Sequence, residues 1–174
     1  MLLSKLPVRI LCLLALLAAL GCQGYRYASE YNQLPGEIRT IAIPLFKNET
    51  FESNIEAPVT NAVMNEFIRN QQFSIVPDSG DATLIGVVRD FQLSSIAYSS
   101  DDRARQYRAY LTLEITLQNN RTGEVLWRNP RLVHDEEYTV EPIITFTDTN
   151  KQEAIKRIAA ELAERMYEEM VQGY

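Results

Sequence analysis

Residues 38–73 decide the fold, and they read IRTIAIPLFKNETFESNIEAPVTNAVMNEFIRNQQF. The stretch opens with β-branched residues and then meets Pro44, which cannot donate a hydrogen bond to a sheet ladder, so a strand ends there or lies at an edge. After the polar residues 47–50, apolar residues recur at the spacing of one helix face: Ile55, Val59, Ala62, Val63 and Phe67. This pattern predicts a strand, a loop and an amphipathic helix that must pack on a sheet.

The start of this helix has two readings. Ser53 and Glu56 have the spacing of a capping box. Pro58 would then lie beyond the first turn, where it removes a backbone hydrogen bond and crowds a carbonyl. Either the first turn is irregular or the regular helix begins at Pro58, and we favour the second reading.

The N-terminus has the features of a cleaved signal sequence. Lys5 and Arg9 form a small basic region before an apolar run of eleven residues, 10–20, which is shorter than the roughly 20 residues of a membrane span. The end of the run, ALGC at residues 19–22, resembles the lipobox of bacterial lipoproteins, in which the signal is cut before a cysteine that becomes acylated. We therefore expect Cys22 to carry the lipid; the alternative is an ordinary signal peptide with an unrelated cysteine.

An acylated Cys22 would anchor the mature chain stably, because several acyl chains each contribute about 0.8 kcal/mol per buried CH₂. The next residue is Gln23 rather than aspartate, which by analogy with lipoprotein sorting favours the outer membrane. Cys12 would be lost with the signal, so an internal disulfide is excluded. We predict a signal peptide over residues 1–21, a lipidated N-terminus and tether over residues 22–36, and one α+β domain over residues 37–174.

Composition narrows the classes of function. Without Lys5 and Arg9, 15 of the 17 basic residues remain against 23 acidic residues, which is a formal charge of −8. A nucleic-acid-binding protein presents a basic surface, so we expect no nucleic acid as a partner. The mature chain is long enough for one domain with a substantial core.

The second half of the domain alternates between apolar and polar residues, which predicts antiparallel strands. The predicted strands cover residues 73–76, 82–98, 107–118, 124–128 and, as an edge, 131–140. The long strand 82–98 is expected to contain a bulge or bend, with Gly86 as its candidate position. The hairpin turn is expected over residues 119–123, with Gly123 at positive φ.

A second helix is predicted near the C-terminus, after an irregular segment over residues 139–149. Thr149 and Gln152 have capping-box spacing. An apolar stripe follows, formed by Ile155, Ile158, Ala159, Leu162, Met166 and Met170. The order of strand, helix, antiparallel strands and helix predicts an α+β fold with two helices on one face of a sheet.

No catalytic or metal-binding pattern is recognisable in the sequence. His134 is the one histidine and has no cysteine or second histidine near it to complete a metal site. The acidic clusters at residues 101–102 and 135–137 are more typical of solvated loops, and no glycine-rich phosphate loop is present. These features favour a binding or assembly protein over an enzyme and predict no cofactor and no metal.

One hypothesis concerns a ligand site formed by arginines. Its candidate residues are Arg103, Arg105, Arg108, Arg128 and Arg131. The first three lie where a loop enters a strand and the last two lie on the neighbouring strand, so a hairpin is expected to bring the groups together. Converging arginines bind phosphate or carboxylate, and the expected ligand is a phosphorylated glycolipid. The alternative is that they pair with Asp101, Asp102 or the acidic residues 135–137.

Taken together, the chain resembles the LptE family, the outer-membrane lipoproteins of lipopolysaccharide assembly. The segments that carry the resemblance are Gly21-Cys22 followed by Gly24-Tyr25, Leu34-Pro35 before IRTIAIPLFKNETFE, the helix IEAPVTNAVMNEF, the strand start DATLIGVV, the hairpin YRAYLTLEITLQNNRTGEVLWRN and the closing helix. The resemblance covers nearly the whole mature chain, and it rests on the order and spacing of these segments.

The resemblance implies a two-layer sandwich in which two helices pack on one face of a mostly antiparallel, about four-stranded sheet. It implies two partners, the β-barrel translocon LptD, which such proteins help to assemble and plug, and lipopolysaccharide. The domain would lie on the periplasmic side of the outer membrane or within the barrel lumen.

Two alternative functions belong to other classes: a lipoprotein activator of a periplasmic enzyme such as a peptidoglycan synthase, and a lipoprotein subunit of a secretion pore. A tether of about a dozen residues reaches at most about 45 Å. This short reach favours work at the membrane over activation of an enzyme across the periplasm.

Overall fold

The computed structural model describes Leu34 and residues 37–98 and 104–172 of the 174-residue chain. The elements in this part of the chain are β1 (Thr40–Ala42), β2 (Lys47–Asn48), α1 (Glu56–Asn70), β3 (Ser74–Val76), β4 (Ala82–Tyr98), β5 (Ala104–Asn119), β6 (Val125–Thr139) and α2 (Ile144–Gln172). The predicted α+β class is confirmed. The predicted tether and Cys22 lie outside the described residues, apart from Leu34.

The sheet is mixed and has six strands, so the expected number of about four was approximate. The strand order is β3-β1-β4-β5-β6, and β2 pairs with β4 beside β1. The short strands pair in parallel, β1 with β3 and β4, and β2 with β4. The three long strands form an antiparallel meander. The parallel pairs join segments far apart in the chain, which is why local alternation did not predict them.

One face of the sheet packs against both helices and forms the core. The alternating apolar residues of β5 are fully buried there: Ala109, Leu111, Leu113, Ile115 and Leu117. The helix stripes cover them, with Val59, Val63 and Phe67 from α1 and Ile155, Ile158 and Leu162 from α2, each at most 1% exposed. Burying a side chain of this size stabilises the fold by about 1.5–3 kcal/mol. The predicted apolar faces of both helices are therefore confirmed.

Both predicted starts for α1 were wrong. The helix begins at Glu56, after Ile55 in a helical conformation, and no side chain caps its N-terminus. Pro58 is the third helical residue, at a position where a backbone N–H has no partner within the helix, so the proline breaks no bond. Val59 is the first residue whose N–H reaches back, to the carbonyl of Ile55 at 3.4 Å.

The predicted start of α2 was also wrong. The helix begins at Ile144, inside the segment expected to be irregular. Thr149 lies within the helix and donates its hydroxyl to the carbonyl of Thr145 at 2.9 Å instead of capping the end. Ile144 and Phe146 are 76% and 56% exposed. The first turns therefore carry no buried apolar stripe, which removed the periodic signal for a helix.

The first bulge in β4 lies at Arg89 and not at Gly86, and the register shifts again between Ser95 and Tyr98. Gly86 pairs in register with Ile115, and the register shifts between Val88 and Asp90. The extra residue moves the core-facing positions from even to odd numbers, so that Phe91 lies opposite the buried Leu111. The predicted hairpin turn is confirmed, with Gly123 at φ +75°.

Strand β6 forms one edge of the sheet and continues through Asn129-Pro130 to Thr139. Helix α2 runs beside this edge and donates side-chain hydrogen bonds to its carbonyls. The donors are Asn150 Nδ2 to Thr139 at 2.9 Å, Arg157 Nη2 to Glu137 at 3.3 Å and Arg165 Nη2 to Val133 at 2.6 Å. These bonds satisfy backbone groups that would otherwise be free to pair with another strand.

Candidate functional site

The face of the sheet opposite the helices is exposed and polar, and we call it the open face. Its side chains on β5 alternate with the core residues: Arg108, Tyr110, Thr112, Glu114, Thr116 and Gln118. All six are at least partly accessible. Ile85 on β4 and Val125 on β6 add exposed apolar side chains, 43% and 52% exposed. A mixed surface of this kind can lie against another protein without a large apolar patch.

Glu114 is the centre of an ion-pair cluster on the open face. It accepts hydrogen bonds from Arg89 Nε at 2.8 Å and from Arg128 Nη2 at 2.7 Å. Arg89 also pairs with Glu49 in the loop after β2. The cluster therefore links three strands, β4, β5 and β6, to that loop. In the sequence Arg89 is a charged residue within an otherwise mostly apolar segment, and its partners depend on the strand register.

The carboxylates of this cluster are held in their charged form. Hydrogen bonds from Arg89 and then Arg128 lower the pKa of Glu114 below its usual value. Hydrogen bonds from Lys47 and then Arg89 lower the pKa of Glu49. The hydrogen bonds to Glu114 and Glu49 raise the pKa of Arg89. The cluster is thus charge-compensated at neutral pH.

We expect the stability of the Glu114→Gln variant to depend less steeply on pH in the acid range than that of the parent protein. A carboxyl group whose pKa is lower in the folded state stabilises the fold above the unfolded value of 4.5, and this stabilisation is lost as the pH falls through the folded value. The urea midpoint of the parent protein should therefore fall more steeply between about pH 5 and pH 3 than that of Glu114→Gln.

Glu161→Gln is the control, because Glu161 lies on the exposed side of α2 and has no ion pair in the described part of the chain. Its pH profile should follow that of the parent protein. Equal slopes for the parent protein and Glu114→Gln would contradict the assigned role of Glu114.

Arg108 and Arg128, one from each group of candidate arginines, do not converge, which corrects the expected geometry. Arg108 lies opposite Glu137 on β6, whereas Arg128 lies opposite Thr116, eight positions further along β5. At about 3.3 Å per residue the two sites are roughly 26 Å apart. Strand β6 is longer than expected, so its start, with Arg128 and Arg131, pairs with the far end of β5. Arg103 lies outside the described residues.

The remaining arginines differ in whether they are already paired. Arg108 forms ion pairs with Glu137 and, from Nε at 3.5 Å, with Asp135, which is the pairing that we gave as the alternative. The hydrogen bond to Glu137 is the main reason that the pKa of Arg108 is raised. Arg105 and Arg131 are exposed and make no side-chain ion pair within the described ranges.

A separate group of exposed apolar side chains lies around the ends of β4 and α2. These are Leu93, Ile96 and Tyr98 on β4, and Ile143, Ile144 and Phe146 at the start of α2, each between 38% and 76% exposed. Phe51, in the loop between β2 and α1, is fully exposed. Nothing in the sequence distinguishes these residues from core residues, because exposed and buried apolar side chains are the same residue types.

A groove of about 570 Å³ runs between the two helices. Small residues from both helices line it, including Ala57, Ala62 and Ala160. Glu66 and Arg69 form an ion pair on its rim. Across the described residues, no three histidine, cysteine or acidic side chains are grouped closely enough to hold a metal ion. None of the helices in that part of the chain is long and apolar enough to cross a membrane.

Comparison with protein-family models gives a match over residues 38–170 to the family described as "LptE: Lipopolysaccharide-assembly". The match covers most of the chain, including the six strands that the structure describes, all of α1 and all but the last two residues of α2. A search of curated protein sequences finds no significant match.

Several solved structures share the fold. Rare lipoprotein B from Shewanella oneidensis is 13% identical, with a TM-score of 0.52, and the match covers 76% of this chain and 93% of that chain. A minor lipoprotein from Acinetobacter baumannii is 7% identical, with a TM-score of 0.52 and coverage of 78% and 92%. Uncharacterized lipoprotein B from Nitrosomonas europaea is 11% identical, with a TM-score of 0.51 and coverage of 85% and 90%. At these identities the likeness concerns the fold alone.

Proposed function

The chain belongs to the LptE family of lipopolysaccharide-assembly proteins, and on this premise we propose that it is an outer-membrane lipoprotein that helps to assemble and plug the β-barrel translocon LptD. In this proposal residues 1–21 are a cleaved signal, Cys22 carries the lipid anchor, and residues 37–174 form the domain that meets the barrel. The protein contributes to lipopolysaccharide insertion by binding and by holding the barrel in shape, without a catalytic step.

The family match over residues 38–170 is the observation that carries this proposal. The open face supports it on physical grounds, because the lumen of an outer-membrane barrel is polar. Polar side chains and compensated ion pairs such as Glu114 with Arg89 and Arg128 can lie against such a wall with little loss of hydration. A lipid anchor at Cys22 would confine the domain to the bilayer that holds the barrel.

Purification from the native outer membrane tests the proposal. The tagged full-length protein is extracted in a gentle detergent, and the proteins recovered with it are identified and quantified by mass spectrometry. We expect a large β-barrel protein in near-equal amount. Cys22→Ser is the control for the anchor: the variant should lose its acyl chains and its place in the outer-membrane fraction.

The result would go against the proposal if the anchored protein were recovered alone. Recovery of a peptidoglycan synthase in place of a barrel would favour the activator function. In either case the family and the fold stand, since neither depends on the partner.

We also propose that Arg105 and Arg108 at the start of β5, together with Arg103 just before them in the sequence, contact lipopolysaccharide phosphates. Replacing Arg105 and Arg108 together with alanine is expected to weaken binding to purified lipopolysaccharide roughly tenfold or more, because a charge-assisted hydrogen bond typically contributes about 1.5–3 kcal/mol. The measurement is a titration of the protein with lipopolysaccharide in detergent micelles.

The matched control is Arg128→Ala with Arg131→Ala. Each pair contains one arginine with an ion pair and one without, so both double variants remove the same charge. Equal loss of binding in the two would indicate a general charge effect, and unchanged binding in the Arg105 and Arg108 variant would exclude this contact.

A further inference from the structure

The edge of the sheet at β6 is covered, whereas part of the outer edge of β4 is not. Helix α2 covers the edge of β6 with side-chain hydrogen bonds. On the other side, β1 pairs with β4 at Ala82 and Thr83, and β2 pairs with it at Val87 and Val88. Within residues 37–98 and 104–172, no strand pairs with the outer edge of β4 after Val88.

The backbone direction along this edge follows from the strand register. The carbonyls of Val133, Glu137 and Thr139 point away from β5, since α2 donates to them. In an antiparallel ladder, residues alternate between bonding to one neighbour and to the other. The even-numbered residues of β6 therefore bond to odd-numbered residues of β5, which leaves the even-numbered residues of β5 to bond to β4.

This alternation turns the backbone groups of Phe91, Leu93 and Ser95 outward, because their partners on β5 are the odd-numbered residues Leu111, Ala109 and Tyr107. An independent contact supports the assignment. Val88, whose partner is also odd-numbered, has its carbonyl pointing outward, where it accepts a hydrogen bond from Glu49 N at 3.0 Å. The ladder is regular from Asp90 to Ser95, so three outward N–H groups and three outward carbonyls lie in one row.

The composition of this edge is suited to pairing with another strand. Residues 91–98 read FQLSSIAY and contain no charge, no proline and no glycine. Sheets normally protect an exposed edge with charged residues or proline, or cover it with another element. The opposite edge has both protections, Pro130 in the strand and α2 beside it. Leu93, at 43% exposed, also offers an apolar side chain to an added strand.

A loop held by hydrogen bonds, with an exposed aromatic side chain, lies at the beginning of this row. Glu49 is hydrogen-bonded to Val88, and Phe51 follows two residues later with its side chain fully exposed. Asn48 holds the loop: its Oδ1 accepts from Thr50 N at 2.9 Å and its Nδ2 donates to the carbonyl of Glu52 at 2.8 Å. A preorganised aromatic residue of this kind is typical of an interface anchor.

We propose that the outer edge of β4 from Asp90 to Ser95 accepts an extended segment of the β-barrel partner as an added strand, with Phe51 as the side-chain anchor beside it. The inference rests on the proposed function for the identity of the partner. Backbone hydrogen bonds would supply the affinity for the added strand. The side chains of Leu93 and Phe51 would determine which segment is selected. The closed ladder of a barrel has no free edge, so the segment comes from a loop or a terminus of the partner.

The net charge of the chain favours a different protein over a second copy of this chain. The chain has a net charge of −6, and like-charged copies repel one another. Residues 91–95 of this edge are uncharged, so the expected segment is uncharged opposite them and alternates between apolar and small polar residues.

Amide hydrogen exchange tests the inference. The full-length protein is measured alone in detergent and in the complex that is recovered from the outer membrane. We expect the amides of Phe91, Leu93 and Ser95 to exchange rapidly in the protein alone and roughly tenfold more slowly, or slower still, in the complex, because hydrogen-bonded amides must open before they exchange. The even-numbered amides of Gln92 and Ser94 serve as the internal control, since they are bonded to β5 in both states.

A pair of variants at one position separates the backbone from the side chain. Leu93→Pro removes an outward N–H and no bond to β5, which an edge strand tolerates, whereas Leu93→Thr keeps the N–H and favours a strand. We expect roughly tenfold less barrel protein to be recovered with Leu93→Pro and near-normal recovery with Leu93→Thr. Thermal unfolding of each purified variant shows whether it is folded.

Three results would overturn the inference. The first is recovery of the barrel with no added protection at Phe91, Leu93 and Ser95, which leaves the proposed function intact. The second is protection that arises from a second copy, seen as a dimer in the absence of the barrel. The third is equal recovery of the barrel with the folded Leu93→Pro and Leu93→Thr variants. If no barrel is recovered with the parent protein, the proposed function and the inference fail together.

Discussion

Replacing Gly86 with alanine is expected to destabilise the protein by about 3 kcal/mol or more, at the upper end of overpacking effects. A Cβ atom at this position would lie 2.3 Å from two ring carbons of Phe46. The ring has little room to withdraw, because Phe46 is only 2% exposed and its N–H is bonded to Thr60 Oγ1 at 3.0 Å. The free energy of unfolding in urea gives the measurement.

Gly123→Ala is the matched control for this substitution. Gly123 has no heavy atom within 4 Å of its added Cβ, and its strain comes only from φ +75°. We therefore expect a loss of about 1–2 kcal/mol there. A Gly86→Ala protein no less stable than Gly123→Ala would contradict the close packing of Phe46 on the strand.

The double variant Gly86→Ala with Phe46→Ala identifies the cause of the effect. Phe46→Ala alone is expected to cost about 3–5 kcal/mol through the cavity that it leaves. If the clash with the ring is responsible, the double variant should be clearly more stable than the sum of the two single effects predicts. If the two effects are simply additive, the loss of stability in Gly86→Ala arises from the backbone of β4 and not from the ring of Phe46.

Replacing Phe67 with alanine is expected to have an effect of similar size, about 3–5 kcal/mol. Phe67 is fully buried on α1 and joins three elements of the core. Its ring lies 5.1 Å from that of Tyr167 on α2, nearly at right angles, and 6.1 Å from that of Phe73, just before β3. The substitution thus leaves a cavity and removes two aromatic contacts.

Ile68→Ala is the control for Phe67→Ala, because it shortens the next side chain on the same helix. Ile68 is 57% exposed, so its loss should change stability by no more than about 0.5 kcal/mol. Urea unfolding of the two variants under the same conditions gives the comparison. A cost below about 1 kcal/mol for Phe67→Ala would mean that the helices do not meet as described.

The arrangement of the open face bears on how such a protein can meet a barrel. Its charges are distributed in two separate groups, around Glu114 and around Arg108. Each group is largely neutralised by its own partners. A surface of this kind selects its binding partner through geometry and hydrogen bonding more than through net charge. The edge of β4 and the side chain of Phe51 are the places where backbone and apolar groups are left available.

Local patterns in the sequence determined much of the secondary structure. The strict alternation in β5, from Tyr107 to Gln118, predicted a strand with one buried face, since successive side chains point to opposite sides. The apolar stripes of the two helices and the turn at Gly123 were equally readable, because each depends on residues within a few positions of one another. The family was also recognisable from the order and spacing of these segments.

The tertiary structure alone decided the features that depend on distant residues. Gly86 is required by Phe46, forty positions away, and not by a bulge. The register between β5 and β6 separates Arg108 from Arg128 and gives each its own carboxylates. Neither Ser53 nor Thr149 caps the start of a helix, although both have capping-box spacing in the sequence. Contacts between segments that are remote in sequence are determined by packing and strand register. Packing and register leave no local sequence pattern, so these contacts cannot be predicted from the sequence of either segment.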